Sequence, residues 1–520
     1  MSVINIENLT FGYENATTNV FDDVSLHIDT DWKLGLIGRN GTGKTTLLKL
    51  LIGEYEYKGN ISSPKEFDYF PYQVNDNNTC ACELIHMWKK NIEDWQVISE
   101  MSQLELDGGM LYRPFDSLSS GERTKIMLAT LFSGENEFLL IDEPTNHLDI
   151  AARESVKNYL LTKKGFILVS HDRDLLDACV NHVLVINKAS IIIQQGNFSS
   201  WSLNKEKEDQ NAQAENNKHK KEIRKLYESA DKVSRWADKN ENTKIGFDPI
   251  KEHDRFKDTR SYIGGKTKKM EARVKSFEER KKREIAAKQG LLKDIETDVN
   301  LQINPLKHYK RELVSVSDFN LRYNDADNEL FNKLEFTLNQ GDRLFINGTN
   351  GSGKSTLIKY LLRAVDIKNG TSIFEETYNG VIDVTSTGDF NVVPNLIISY
   401  INQDTSHLKG KLCSYAEGRN IDYSLLIALL RQLDLNRYEL DKDMRYYSEG
   451  QKKKVIIAAS LLTPAHLYVW DEPFNYIDVL SRTQIERMIL KYKPTMLIVE
   501  HDKKFMENVS TKIINLSHAS

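Results

Sequence analysis

Two lysines 310 residues apart, Lys44 and Lys354, each close a glycine-rich run. The runs are Gly38-Arg39-Asn40-Gly41-Thr42-Gly43-Lys44-Thr45 and Gly348-Thr349-Asn350-Gly351-Ser352-Gly353-Lys354-Ser355. The same offset carries Tyr13 to Tyr323, Phe21 to Phe331 and Val24 to Leu334. Further along it grows to 329 or 330, pairing Gln73 with Gln403, Ser119 with Ser448, Asp142 with Asp471, Glu143 with Glu472, Asp149 with Asp478 and His171 with His501. A chain patterned this way folds into two similar bodies, and 520 residues suit two domains of about 200 residues plus a connector. The change of offset places about 20 extra residues in the second copy, within Thr371 to Asn395.

Each glycine-rich run has a short apolar strand before it, Leu34-Gly35-Leu36-Ile37 or Leu344-Phe345-Ile346, and a leucine-rich helical run follows the first. That context marks a P-loop. The glycines let backbone N–H groups turn inward onto phosphate oxygens at a helix amino end, the lysine neutralises β/γ charge, and the hydroxyl of Thr45 or Ser355 faces Mg²⁺. Phe138 to Ile141 and Leu467 to Trp470 read as buried strands, each ending in two carboxylates, Asp142-Glu143 and Asp471-Glu472. In that position the first carboxylate holds the metal shell and the second orients and deprotonates an attacking water. His171 and His501 end the next strands, within reach of a γ-phosphate.

Between the copies, residues 201 to 300 hold 26 Lys+Arg against 20 Asp+Glu, so a net charge of -5 divides into a basic arm and a remainder of -11. Ile223, Leu226, Ala230, Val233 and Ala237 repeat in the 3,4 rhythm of a two-helix coiled coil, with Val274, Phe277, Ile285, Leu292 and Val299 as the returning helix. From Asn240 to Lys269 the sequence forms helix poorly and gathers Ile245, Phe247, Phe256, Tyr262 and Ile263, which predicts a helical hairpin with a partly apolar tip. No apolar stretch approaches the roughly 18 to 20 residues that span a bilayer, and no signal peptide is seen, so a cytoplasmic protein is expected. Four cysteines make no disulfide framework. Cys80, Cys82 and His86 have the wrong spacing for zinc and lack a fourth ligand, so the cysteines read as ordinary thiols.

Taken together, the motifs resemble the ABC ATPase superfamily, with Walker A, Q-loop, signature, Walker B, D-loop and switch histidine present twice, over roughly 1 to 196 and 308 to 520. The resemblance implies an α/β fold: ATPase domain 1 over 1–196, a helical hairpin linker over 197–307 and ATPase domain 2 over 308–520. It implies ATP held by Gly38, Asn40, Gly41, Gly43, Lys44, Thr45 and Thr46, with Tyr13 on the adenine, and by Gly348, Asn350, Gly351, Gly353, Lys354, Ser355 and Thr356, with Tyr323. Mg²⁺ falls to Thr45, Gln73 and Asp142 and to Ser355, Gln403 and Asp471; Glu143, Glu472, His171 and His501 take the catalytic roles. In such enzymes the domains clamp head to tail. Lys44 then shares its ATP with Ser448 and Gly450, and Lys354 with Ser119 and Gly121.

Asp142-Glu143-Pro144-Thr145-Asn146-His147-Leu148-Asp149 is similar to the ABC-F signature, and tandem ATPase domains without membrane segments are that family's layout. The first copy has no room for an arm insertion, since Gln73 to Leu118 spans 45 residues and Gln403 to Tyr447 spans 44. With the long connector and Ser261-Tyr262-Ile263-Gly264-Gly265-Lys266, this resembles the resistance subgroup of Vga and Lsa type. The resemblance implies a monomer that pairs its own ATPase domains. Such a protein enters the ribosomal E site, contacts 23S rRNA and P-site tRNA, and displaces lincosamides, pleuromutilins and streptogramin A from the peptidyl-transferase centre. Two alternatives stand: a general ABC-F translation or assembly factor, and a transporter's ATP-binding subunit, which leaves the basic hairpin without a role. The second copy departs from the pattern at Trp470, Phe474, Tyr476 and Glu500, so unequal hydrolysis at the two sites is expected.

Overall fold

The computed structural model describes residues 2–14, 19–74, 78–134, 136–146, 148–187, 190–242, 275–276, 279–280, 305–324, 329–370 and 383–516. The chain divides into two compact units, Met1–Trp201 with Val299–Ser520, and Ser202–Asp298. Both copies of the repeat belong to the first unit.

In the first copy β1 (Val3–Phe11), β2 (Phe21–Asp29) and β4 (Lys58–Ser62) form an antiparallel sheet in the order β2-β1-β4. A six-stranded sheet runs β5-β6-β7-β3-β8-β9, from β3 (Lys33–Gly38), β5 (Glu66–Phe70), β6 (Glu137–Asp142), β7 (Phe166–Val169), β8 (His182–Asn187) and β9 (Ser190–Gln195). All its pairs are parallel except β8 with β9. Parallel strands buried on both faces need continuous apolar runs, and Phe138-Leu139-Leu140-Ile141 and Phe166-Ile167-Leu168-Val169 are buried throughout. The helices are α1 (Lys44–Leu51), α2 (Ala81–Trp88), α3 (Asp94–Gln103), α4 (Ser120–Phe132), α5 (Ile150–Thr162) and α6 (Arg173–Cys179).

The second copy repeats this plan. Its antiparallel sheet is β11-β10-β13, from β10 (Glu312–Tyr323), β11 (Glu329–Asn339) and β13 (Val384–Val392). Its parallel sheet is β14-β15-β16-β12-β17, from β12 (Arg343–Gly348), β14 (Ile398–Ile401), β15 (Leu467–Asp471), β16 (Met496–Val499) and β17 (Lys512–Leu516). Part of the extra segment thus lengthens a sheet edge: β13 has nine residues where β4 has five, and residues 371–382 lie outside the described set. The duplication extends to backbone strain. Asn8 and Asp318 both have positive φ, at 51° and 47°, as do Asp23 and Lys333, at 51° and 44°. Each pair is 310 residues apart and sits at a register shift of the β1–β2 or β10–β11 pair.

The connector begins with α7 (Phe198–Asn242), 45 residues long, or about 68 Å at 1.5 Å per residue. Ile223 and Leu226 are half-buried on it, while the side chains of Ala230, Val233 and Ala237, the apolar tip and nearly all of the returning helix fall outside the described residues. After it come α8 (Lys354–Asn369), α9 (Leu412–Gly418), α10 (Tyr423–Gln432), α11 (Glu449–Leu462), α12 (Val479–Tyr492) and α13 (Lys503–Val509).

Candidate active site

Strands β6, β7 and β3 are neighbours in the parallel sheet, so their carboxyl ends deliver three separate sequence features to one edge. These are the glycine loop, Asp142-Glu143 and Ser170-His171. Gly43 caps α1 in the left-handed conformation, φ 97°, and a Cβ there would come within 2.6 Å of Val20. Gly353 repeats the conformation at α8, φ 88°. Both loop lysines reach back to loop carbonyls: Lys44 Nζ donates to Gly38 O at 2.8 Å, and Lys354 Nζ to Gly348 O at 2.8 Å. Thr45 Oγ1 donates to Asp142 Oδ2 at 2.7 Å, which puts hydroxyl and carboxylate where one Mg²⁺ would bind both.

A cavity of about 450 Å³ opens over the first P-loop. Tyr13, Asn40, Gly41, Gly43, Lys44, Thr45, Thr46, Asp142, Glu143 and His171 line one wall, and Ser448, Glu449, Gly450 and Tyr476 of the second copy line the other. Tyr13 is 46% exposed, and its hydroxyl is bonded to Thr46 Oγ1 at 2.8 Å; Tyr323 makes the same bond to Thr356 Oγ1 at 2.7 Å. Neither tyrosine is core packing. Ser448 is placed by a capping box, its hydroxyl accepting from Gln451 N at 3.3 Å while Gln451 Oε1 accepts from Ser448 N at 3.0 Å. Ser119 and Glu122 form the equivalent box at the start of α4. Gly450 is required by space: a Cβ would lie 2.6 Å from Tyr476 O and 2.7 Å from Asn40 Nδ2.

The two carboxylate pairs differ in charge. Glu143 has a left-handed backbone, φ 54°, and its carboxyl is pushed up to about 8, first by burial and then by Asp142. His171 N donates to Glu143 Oε2 at 3.2 Å, and His171 Nε2 lies 3.2 Å from Oε1. Burial, with Lys44 and Arg482 next, holds the His171 imidazole well below its ordinary range. Glu472 also has positive φ, 46°, but there burial is outweighed by His501, Asn475 and Lys354, which hold the carboxyl below its usual range. Burial and the Glu472 charge raise Asp471 to about 6. Gln403 Nε2 reaches Asp471 Oδ1 at 3.4 Å, whereas Gln73 is exposed and Tyr69 OH donates to Asp142 Oδ2 at 3.2 Å instead.

Further contacts at this site join the two copies. Arg39 Nη1 pairs with Asp434 at 2.7 Å, and Asn40 Nδ2 donates to Tyr476 O at 2.8 Å, both between copies. Asp149 and Asp478 cap α5 and α12 and bear electrostatically on the opposite lysines, Lys354 and Lys44. Val479 belongs to the core of the first copy, and Ile150 packs on that of the second. Arg153 Nη1 donates to His501 O at 3.3 Å.

The ABC transporter family matches residues 21–146 and 331–475. The chain is similar to the ribosome protection protein VmlR of Bacillus subtilis, 25% identical over 99% of this chain and 87% of that protein. It is also similar to ABC transporter F family member 2 of Arabidopsis thaliana, at 24% over 99% and 76%. In fold it is similar to the crystal structure of archaeal ribosomal stalk protein aP1 with archaeal ribosome recycling factor aABCE1. That likeness has a TM-score of 0.58 and 20% identity, covering 98% of this chain and 87% of that one. Among the described residues no helix is long and apolar enough to cross a membrane.

Proposed function

The chain belongs to the ABC transporter family of ATPase domains, carries that domain twice and hydrolyses ATP; from this premise we propose that it is an ABC-F ribosome-protection factor acting in the cytoplasm. The observation that carries the proposal is the root of α7. Phe198 and Trp201 are buried in the first copy's core, and Asp177 accepts from Ser199 N at 2.6 Å while also pairing with Lys504 of the second copy. The first turn of the connector helix is therefore held by a carboxylate that both ATPase copies engage. Closing or opening the clamp changes the support of that helix.

In the proposed cycle ATP enters between Lys44 and the Ser448–Gly450 turn, and between Lys354 and the Ser119–Gly121 turn. Backbone N–H groups and the lysine hold the phosphates, and Tyr13 and Tyr323 carry the adenines. Thr45 with Asp142, and Ser355 with Asp471 and Gln403, suit Mg²⁺, which when bound neutralises phosphate charge. Glu143 and Glu472 take a proton from the attacking water, with His171 and His501 beside them. The closed form binds the ribosomal E site, the basic flanks of the connector follow rRNA and tRNA phosphates, and residues 244–269 disturb the drug pocket. The relatives' names and the basic connector support this reading over a transporter subunit.

The test is ribosome pelleting of the Glu143→Gln, Glu472→Gln variant with ATP. Blocking hydrolysis while retaining nucleotide binding traps the closed state, so co-sedimentation is expected, and its absence overturns ribosome binding. Expression of the unaltered protein in a susceptible host separates drug protection from a general translation role. Unchanged sensitivity to lincosamides, pleuromutilins and streptogramin A removes the protection reading.

A further inference from the structure

In the first copy's helical region, three metal-ligating side chains that the ATPase chemistry does not use converge at one point. Cys82 and His86 are four residues apart on α2 and so share one face of that helix. Asp94 opens α3 across from them. Their ligand atoms all lie within 4.8 Å of one another. His86 Nε2 is 3.0 Å from Asp94 Oδ1, and Cys82 Sγ is 3.8 and 3.7 Å from the two carboxylate oxygens. Spacing alone paired Cys82 with Cys80, but Cys80 turns away, its thiol donating to Leu111 O at 3.1 Å. Asp94, from the next helix, supplies the third donor.

The separations from Asp94 are close to those of a coordination shell. With bonds of about 2.3 Å to sulfur and about 2.0–2.1 Å to nitrogen and oxygen, a tetrahedral ion separates nitrogen from oxygen by about 3.3 Å and sulfur from either by about 3.5 Å. We propose that Cys82, His86 and Asp94 bind one Zn²⁺ ion, with solvent in the fourth position. A thiolate, an imidazole and a carboxylate together favour zinc over Mg²⁺ or Ca²⁺, which take oxygen ligands. Cys82 and Asp94 are half-buried and His86 is exposed, so the ion has an entry path and an open side. Tyr112 OH donates to Asp94 Oδ2 at 3.5 Å, a second contact to the carboxylate. On binding, the Cys82 thiol releases its proton to solvent and the Sγ–metal bond forms, with no change of oxidation state.

The site joins α2 to α3, and α3 packs on α4, whose amino end carries Ser119. Zinc therefore stiffens the part of the first copy that presents its signature turn. The second copy supplies a control: α9 and α10 retain Cys413, but Glu417 and Tyr423 occupy the places of His86 and Asp94.

The experiment titrates the chelator-stripped full chain with Zn²⁺ against a chromophoric zinc chelator. One tight equivalent is expected, and it weakens more than about 100-fold in Cys82→Ser and in His86→Ala, while Cys80→Ser and Cys413→Ser leave it unchanged. Co²⁺ in place of Zn²⁺ gives a thiolate charge-transfer band in the unaltered protein that Cys82→Ser lacks. Exposed His86 makes its alanine variant a safe second probe should Cys82→Ser fold poorly. Absence of a tight equivalent, or retention of zinc and of the cobalt band in both Cys82→Ser and His86→Ala, overturns the site.

Discussion

Replacing Arg173 by alanine should weaken closure of the ATPase clamp far more than replacing its counterpart Lys503. Arg173 begins α6, immediately after His171-Asp172, and crosses to the second copy: Nη1 lies 2.8 Å from Glu486 Oε2, and Nη2 lies 3.5 Å from Asp502 Oδ1. All three side chains are nearly inaccessible, at 7%, 9% and 4%. The duplicated position is Lys503, and the residue it would meet is Lys157, already paired with Glu154 and Asp174 at 2.7 and 2.9 Å. The latch is thus one-sided, on the His171 side. Truncating one member of a buried charge pair costs about 2–5 kcal/mol. Here the lower part of the range applies, because Arg482 also pairs with Asp502 at 3.4 Å and Asn508 donates to Glu486 at 2.7 Å. Arg173 Nε and Nη2 also lack well-aligned hydrogen bonds, so the attraction is chiefly coulombic.

About 2–3 kcal/mol reduces the closure constant about 30- to 150-fold. If two ATP molecules bind the closed form, the ATP midpoint for closure moves by the square root, about 5- to 12-fold. The assay is energy transfer between dyes on the two copies, titrated with ATP in the Glu143→Gln, Glu472→Gln background. A shift below about twofold for Arg173→Ala, or an equal shift for Lys503→Ala, refutes the one-sided latch.

A general base acts only when ionised, so turnover confined to the first site by Glu472→Gln should rise with pH through about 8. Turnover confined to the second site by Glu143→Gln should change little above neutrality. The same raised carboxyl contributes stability that is complete below the unfolded carboxyl range and lost as pH rises through about 8; Glu143→Gln should flatten that part of the Tm profile. Trp470→Ala should destabilise the protein by about 3–5 kcal/mol in denaturant unfolding, because a wholly buried indole is removed and its 3.0 Å bond from Nε1 to Ser460 Oγ is lost. A cost under about 1 kcal/mol would mean that the core collapses into the space.

Much of the site could be read before any folding, because its parts are local. A glycine loop between strand and helix, a carboxylate pair ending an apolar strand, and a serine three residues before Glu122 or Gln451 each depend on neighbours within a few positions. The repeat then doubled the information, since Lys44 and Lys354, or Tyr13 and Tyr323, had to stand in like surroundings. The capping boxes at Ser119 and Ser448 and the positive φ of Glu143 and Glu472 follow that repetition in the backbone.

What local pattern could not carry is distance between residues far apart in the chain, and therefore charge. Glu143 and Glu472 stand in nearly the same motif, yet one carboxyl is raised and the other lowered, because burial and the groups around each differ. Tyr69 takes a place beside Asp142 that the motif assigns to Gln73, and Arg39 finds Asp434 across the copies. Cys82 looked like an ordinary thiol until Asp94 arrived from the next helix. Sequence alone determined the duplicated α/β framework and the chemical groups of each ATP site, since these rest on short-range pattern. The resemblance already implied that each P-loop faces the other copy's signature serine; tertiary structure alone decided how buried these groups are and what charge they hold, since electrostatic and metal-binding energies depend on separation in space.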